Sequence, residues 1–136
     1  MAEMKLIADG LKFPEGPIAM PDSSIILVEI ARGTLTRITP DGKKEIVAEP
    51  GGGPNGAAIG PDGACYICNN GAFVWHDRDW LLFPGDLATY YSHGRTEPVD
   101  LTTAPVDKLY TDCNRTPLHR PHDTPLAPPA VPMSPP

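Results

Sequence analysis

Pro14-Glu15-Gly16-Pro17-Ile18-Ala19-Met20-Pro21-Asp22-Ser23-Ser24-Ile25-Ile26-Leu27-Val28 is one copy of a template. Pro54-Asn55-Gly56-Ala57-Ala58-Ile59-Gly60-Pro61-Asp62-Gly63-Ala64-Cys65-Tyr66-Ile67-Cys68 is a second copy, 40 residues further on. Each reads Pro-X-Gly, a short apolar stretch, a Pro-Asp turn and a strand-like run. A period near 40 matches one blade of a β-propeller. A third start, Arg120-Pro121-His122-Asp123, is not followed by another strand-like run.

The residues between these landmarks predict strands only. Pro21-Asp22-Ser23, Pro40-Asp41-Gly42 and Pro61-Asp62-Gly63 are tight-turn signals. Proline presets φ, aspartate caps the turn and, at Gly42 and Gly63, glycine tolerates positive φ. Short β-rich runs lie between them, and no stretch keeps a 3.6-residue apolar period. The expectation is an all-β chain, a partial six-bladed β-propeller of about two four-stranded antiparallel blades. A full ring of six needs roughly 240 to 270 residues, and this chain has 136.

Blade one is expected over about 14–50, with strands at Gly16–Met20, Ile25–Ile30, Leu35–Thr39 and Lys44–Ala48. Blade two is expected over about 54–113. It starts at Gly56–Gly60 and Ala64–Cys68 and ends with outer strands at Arg95–Leu101 and Val106–Thr111. An insertion at 74–94 interrupts it and carries Trp75, Trp80, Phe83, Tyr90 and Tyr91. Asp77, Asp79 and Asp86 in that insertion read as a solvated loop or as the acidic rim of a sugar site. Residues 120–123 start a third blade, so the partial propeller occupies 1–123. The tail, 124–136, holds six prolines and predicts a disordered or polyproline-II segment.

Eleven basic and 17 acidic residues give a net charge of −6, with no basic run longer than two residues. This argues against nucleic acid or an anionic membrane as partner and suits a cation. No apolar run reaches the ~18 residues of a membrane span. The N-terminus lacks a basic region leading into an apolar signal core, so a cytoplasmic location is expected. Cys65, Cys68 and Cys113 leave one thiol over in any disulfide scheme, which fits a reducing compartment. Cys65 and Cys68 stand three apart on a strand and so face opposite ways. They read as small apolar strand residues rather than as a metal pair, even with Cys113 and His119 as further ligands.

Phe13-Pro14-Glu15-Gly16-Pro17, the Pro-Asp turns and Arg120-Pro121-X-Asp123 resemble the senescence-marker-protein, gluconolactonase and luciferin-regenerating-enzyme family. The resemblance covers about residues 5–123. It implies a six-bladed propeller with a divalent metal in its central channel and, in several members, hydrolysis of sugar or other lactones. By resemblance Glu15 is a metal ligand and Arg120 a substrate contact. His122 stands where the family has an asparagine. The family's further ligands, an asparagine and a catalytic aspartate, come from later blades, so no catalytic residue is assigned in this chain.

The repeat points to the same residues independently. Glu15, Asn55 and His122 occupy one place in three successive copies, at the end of an innermost strand beside the channel. A carboxylate and an amide oxygen there begin a hard-cation site, for which calcium is expected; an imidazole from His122 would suit zinc better. Asn55 and His122 are also candidate substrate contacts. Each residue has a plainer alternative: Glu15 a solvated loop residue, Asn55 a turn former before glycine, His122 a surface residue. The expected activity is that of a metal-dependent sugar lactone hydrolase, incomplete in this chain. Two alternatives stay open. One is a non-catalytic sugar-binding module that closes a propeller by oligomerising through its open sheet edges. The other is a non-functional fragment from a reading frame shifted after about residue 123.

Overall fold

A computed structural model describes residues 3–88, 94–103, 105 and 106, together with the backbone of 112–113 and 116–117. The described residues contain no helix, and every strand pairing is antiparallel. The first sheet is a meander of β1 (Pro14–Ala19), β2 (Ile25–Glu29), β3 (Thr34–Ile38) and β4 (Lys44–Ala48), in that order. The second sheet orders β5 (Pro54–Ile59), β6 (Cys65–Asn69) and β9 (Arg95–Val99). Between β6 and β9 the chain forms a separate hairpin, β7 (Phe73–Arg78) and β8 (Leu81–Leu87). A short ladder joins β10 (Asp112–Cys113) to β11 (Thr116–Pro117).

The three Pro-Asp turns share one geometry. Met20, Thr39 and Gly60 each accept a hydrogen bond from the N–H three residues on, at 2.8–2.9 Å. The donor residue, Ser23, Gly42 or Gly63, has φ of +65, +84 or +82°. This is a type I corner followed by a left-handed residue, a three-residue hairpin loop. Asp22 Oδ1 accepts from the Ser24 N–H at 3.0 Å and from its hydroxyl at 2.6 Å. Asp62 Oδ1 accepts from the Ala64 N–H at 3.1 Å. These bonds favour the charged carboxylates and hold both aspartates below the usual carboxylate range, with Tyr66 the largest cause for Asp62.

The two sheets share one core. Ile26, Val28, Leu35 and Ala48 meet Cys65, Ile67 and Val99, and Ile18, Met20, Ala57 and Ile59 close the margins. Cys65 belongs to this cluster while Cys68 is buried outside it, as opposite-facing strand residues require. Neither is in a disulfide. Burial pushes the Cys65 thiol up to about 12, so it stays protonated and packs as a small apolar group.

Strands β1 and β5 touch through the glycines of the repeated motif. A Cβ built on Gly16, whose φ is +54°, would lie 2.8 Å from the Ala57 nitrogen and 3.2 Å from Gly56 Cα. Only glycine permits this conformation and this approach together.

Two expectations gain detail. The insertion expected at 74–94 does interrupt the second sheet between β6 and β9; 73–87 is a paired hairpin turning at Asp79, which takes φ +59°, so Asp77 and Asp86 lie on strands rather than in a loop. The second sheet has three strands among the described residues. Val106 bridges Val99 where the fourth was expected, and 107–111 lie outside the described residues. The third start at 120–123 and the tail at 124–136 also lie outside them.

Candidate functional site

The Pro-X-Gly motifs open β1 and β5, and both ladders are irregular there. In β1 the register shifts just after Glu15, which pairs with Val28. In β5 it shifts between Pro54 and Gly56, so Asn55 falls in the irregularity. Such bulges re-aim side chains at sheet ends. Glu15 is exposed, and its carboxylate has no hydrogen-bond or ion-pair partner among the described residues. Asn55 is half-buried. The Gly16–Ala57 contact puts the two residues on adjoining strand ends. Arg120 and His122, the other expected contacts, lie outside the described residues, as do Tyr90, Tyr91 and His119.

Two buried polar clusters flank this end of the sheets, and the motif reading missed both. Glu29 and Asn69, the last residues of β2 and β6, stand 40 residues apart like the motifs themselves. Glu29 Oε2 accepts from the Lys12 N–H at 2.6 Å and from Arg32 Nε at 2.9 Å. Its Oε1 accepts from the Thr36 hydroxyl at 2.7 Å. Burial pushes the Glu29 carboxyl up, but the bonds from Lys12, Thr36 and Arg32 outweigh it and hold the group below its ordinary value.

Asn69 Oδ1 accepts from the Gly53 N–H at 2.9 Å, and Nδ2 donates to Glu97 Oε2 at 2.9 Å and to the Gly51 carbonyl at 2.8 Å. Arg95 Nε donates to Glu97 Oε1 at 2.5 Å, and both side chains are buried.

The bonds that join each sheet to the preceding stretch of chain also repeat. Ile30 N–H donates to the Phe13 carbonyl, and Asn70 N–H to the Gly53 carbonyl. Arg32 Nη2 donates to the Gly10 carbonyl at 3.2 Å, and Arg95 Nη2 to the Pro50 carbonyl at 3.0 Å. Each acceptor pair is 40 residues apart. Segment 9–13 therefore lies against the first sheet as segment 49–53 lies against the second. Asn70 departs from the pattern: it is buried where Ile30 stands in the first copy, and neither its Oδ1 nor its Nδ2 has a partner among the described residues.

The hairpin adds the aromatic component. The Trp75 ring lies 5.1 Å from Phe13, tilted at 51°, and 5.9 Å from Phe73, edge-on at 78°. Trp80, at the hairpin tip, is 85 % exposed.

Glu15 and Asn55 provide two oxygen donors of the hard type that calcium prefers. Among the described residues no group of three or more His, Cys, Asp or Glu side chains is placed to hold a metal ion. No helix of the described residues is long and apolar enough to cross a membrane. No protein-family model matches the chain, and no curated protein matches it.

Proposed function

We propose that this chain forms two adjoining blades of a six-bladed propeller of the gluconolactonase kind, and that Glu15 serves a divalent-cation site for lactone hydrolysis. One observation carries the reading. The 40-residue repeat folds as two antiparallel sheets on a common core, with Gly16 against Ala57. That arrangement brings the second residue of each motif to adjoining strand ends. The family resemblance then assigns Glu15 to the metal.

A cation bound there supplies Lewis acidity toward a lactone carbonyl. The chain's own part is to present a carboxylate that no neighbouring cation neutralises, with Asn55 on the adjoining strand end. Calcium suits this pair better than zinc, because both donors are oxygens. No described residue matches the family's general base, so the site is incomplete on these residues alone.

The test is calcium titration calorimetry together with calcium-dependent hydrolysis of gluconolactone, for the protein and its Glu15→Gln variant. The amide keeps the shape and loses the charge. Calcium affinity is expected to fall by about tenfold or more, in line with the loss of a charge-assisted ligand. Equal affinities and equal rates for the two proteins would remove the proposal.

The exposed aromatic hairpin favours a second reading. Trp80 and Phe83 are exposed on its surface, and exposed aromatic rings of this kind can stack on sugars. In that case the chain binds sugar without hydrolysing it, and three copies close the ring. A solution mass of three chains supports this reading, and a monomer discards it.

A further inference from the structure

We propose that the cleft between the first sheet's motif end and the hairpin binds a small organic monocarboxylate with a flat apolar body. The cleft is shallow and widely open to solvent, offers about 360 Å³, and is lined by Lys12, Ala31, Arg32, Trp75 and Leu82. That volume sits at the lower end of sites for small organic ligands, roughly 300–1,000 Å³. Glu15 does not line it, and the proposal does not depend on a metal.

Charge selects the ligand's head. Two lining residues are cationic and none is acidic, on a chain whose net charge is −6. Glu29, behind the wall, accepts from Arg32 Nε and so offsets one of the two positive charges. One positive charge remains in excess, which matches a carboxylate better than a phosphate dianion. The donors match too. Arg32 spends Nε on Glu29 and Nη2 on the Gly10 carbonyl, leaving Nη1 without a partner among the described residues. The Lys12 ammonium likewise has no partner among them.

Rigidity supports a formed site. The Lys12 N–H donates to Glu29, and its carbonyl accepts from the Ala31 N–H at 3.2 Å. Its backbone is therefore fixed on both sides. The Glu29 carboxylate thus orients the Arg32 guanidinium and fixes the Lys12 backbone from outside the cleft. Trp75 packs against both Phe13 and Phe73. With Leu82 it makes an apolar wall, against which a ring can lie while its carboxylate meets the cations. The Arg32 guanidinium, already held in place, loses little entropy on binding.

The experiment titrates phenylacetate and its neutral isostere phenylacetamide into the Trp80→Phe variant. The chain has two tryptophans, so Trp75 is then the sole indole reporter. Phenylacetate is expected to change Trp75 emission saturably and to bind at least about tenfold tighter than the amide, as a charge-assisted contact implies. Lys12→Met should weaken the acid by about tenfold, and Lys12→Arg should restore it to within about threefold. Equal binding of acid and amide overturns the proposal. So does a Lys12→Met variant that folds normally by circular dichroism and keeps its affinity. If Trp80→Phe itself fails to fold, calorimetry on the unaltered protein makes the same acid-to-amide comparison with the same two outcomes.

Discussion

The first and second sheets solve one problem with different chemistry. Each must fix the stretch of chain that enters its innermost strand, and each does so with a polar side chain at the end of its second strand. In the first sheet that side chain is Glu29, an ion whose partner Arg32 is 39 % exposed. In the second it is Asn69, a neutral amide whose neighbours Arg95 and Glu97 are both buried. A carboxylate accepts only, so Glu29 collects N–H and hydroxyl donors. An amide also donates, so Asn69 can face a second carboxylate, Glu97, and a carbonyl. The repeat thus conserves a task and a backbone geometry while the charge pattern is free to differ.

The largest test of this contrast is Asn69→Asp. It makes the second cluster look like the first, but sets a carboxylate against Glu97 and the Gly51 carbonyl with no donor between them. A buried carboxylate set against a second one, with only backbone N–H groups on its other oxygen, costs about 3–5 kcal/mol, to be read by urea denaturation. A loss under 1 kcal/mol, at that order-of-magnitude scale, would mean that the two clusters are interchangeable.

Next comes the glycine contact that joins the sheets. Gly16→Ala meets both positive φ and the Ala57 nitrogen, whereas Gly63→Ala has positive φ but open space around its Cβ. The left-handed conformation alone costs roughly 1–2 kcal/mol. Gly16→Ala should exceed Gly63→Ala by about a further 1 kcal/mol, a modest overpacking. Equal losses would show that the sheets yield at this contact.

Glu29→Gln should be milder, costing about 1–2 kcal/mol, because Arg32 can turn to water. It also carries a pH signature. Glu29 has its pKa lowered from 4.5 by folding, so its contribution is complete above that value and is lost as pH falls through the lower folded value. The unaltered protein should lose thermal stability on acidification below about pH 4.5, and Glu29→Gln should lose less. Identical acid profiles would show that the charge on Glu29 contributes nothing.

The smallest expected effect is a gain. Asn70→Leu removes a buried carboxamide with no partner among the described residues and should stabilise by about 1 kcal/mol. A clear destabilisation would show that a buried water satisfies the amide.

Much of the strand layout was legible, because it is punctuated by chemistry that acts within four residues. The Pro-Asp turns placed the ends of β1 to β6 to within two residues, and even Ser23 for glycine did not hide the first. The hairpin was not legible: Pro84-Gly85 lies inside β8, and this pair ordinarily marks a loop. The polar clusters were missed for another reason. Glu29 and Asn69 lie just beyond the quoted templates, and the hairpin displaces Arg95 and Glu97 from the 40-residue offset. Extending the repeat by one residue would have aligned the first pair.

What the sequence determined by itself is local and periodic. Turn residues, strand runs and a motif recurring after 40 residues establish an all-β chain with two copies of one unit. Tertiary structure decided which groups meet: Lys12 with Glu29 across the motif end, Arg95 with Glu97 on one strand face, Trp75 with Phe13 and Phe73. Those pairings depend on register and on the angle at which a hairpin folds back. Both are fixed by packing and hydrogen-bond satisfaction in the whole sheet, which short-range preference does not encode.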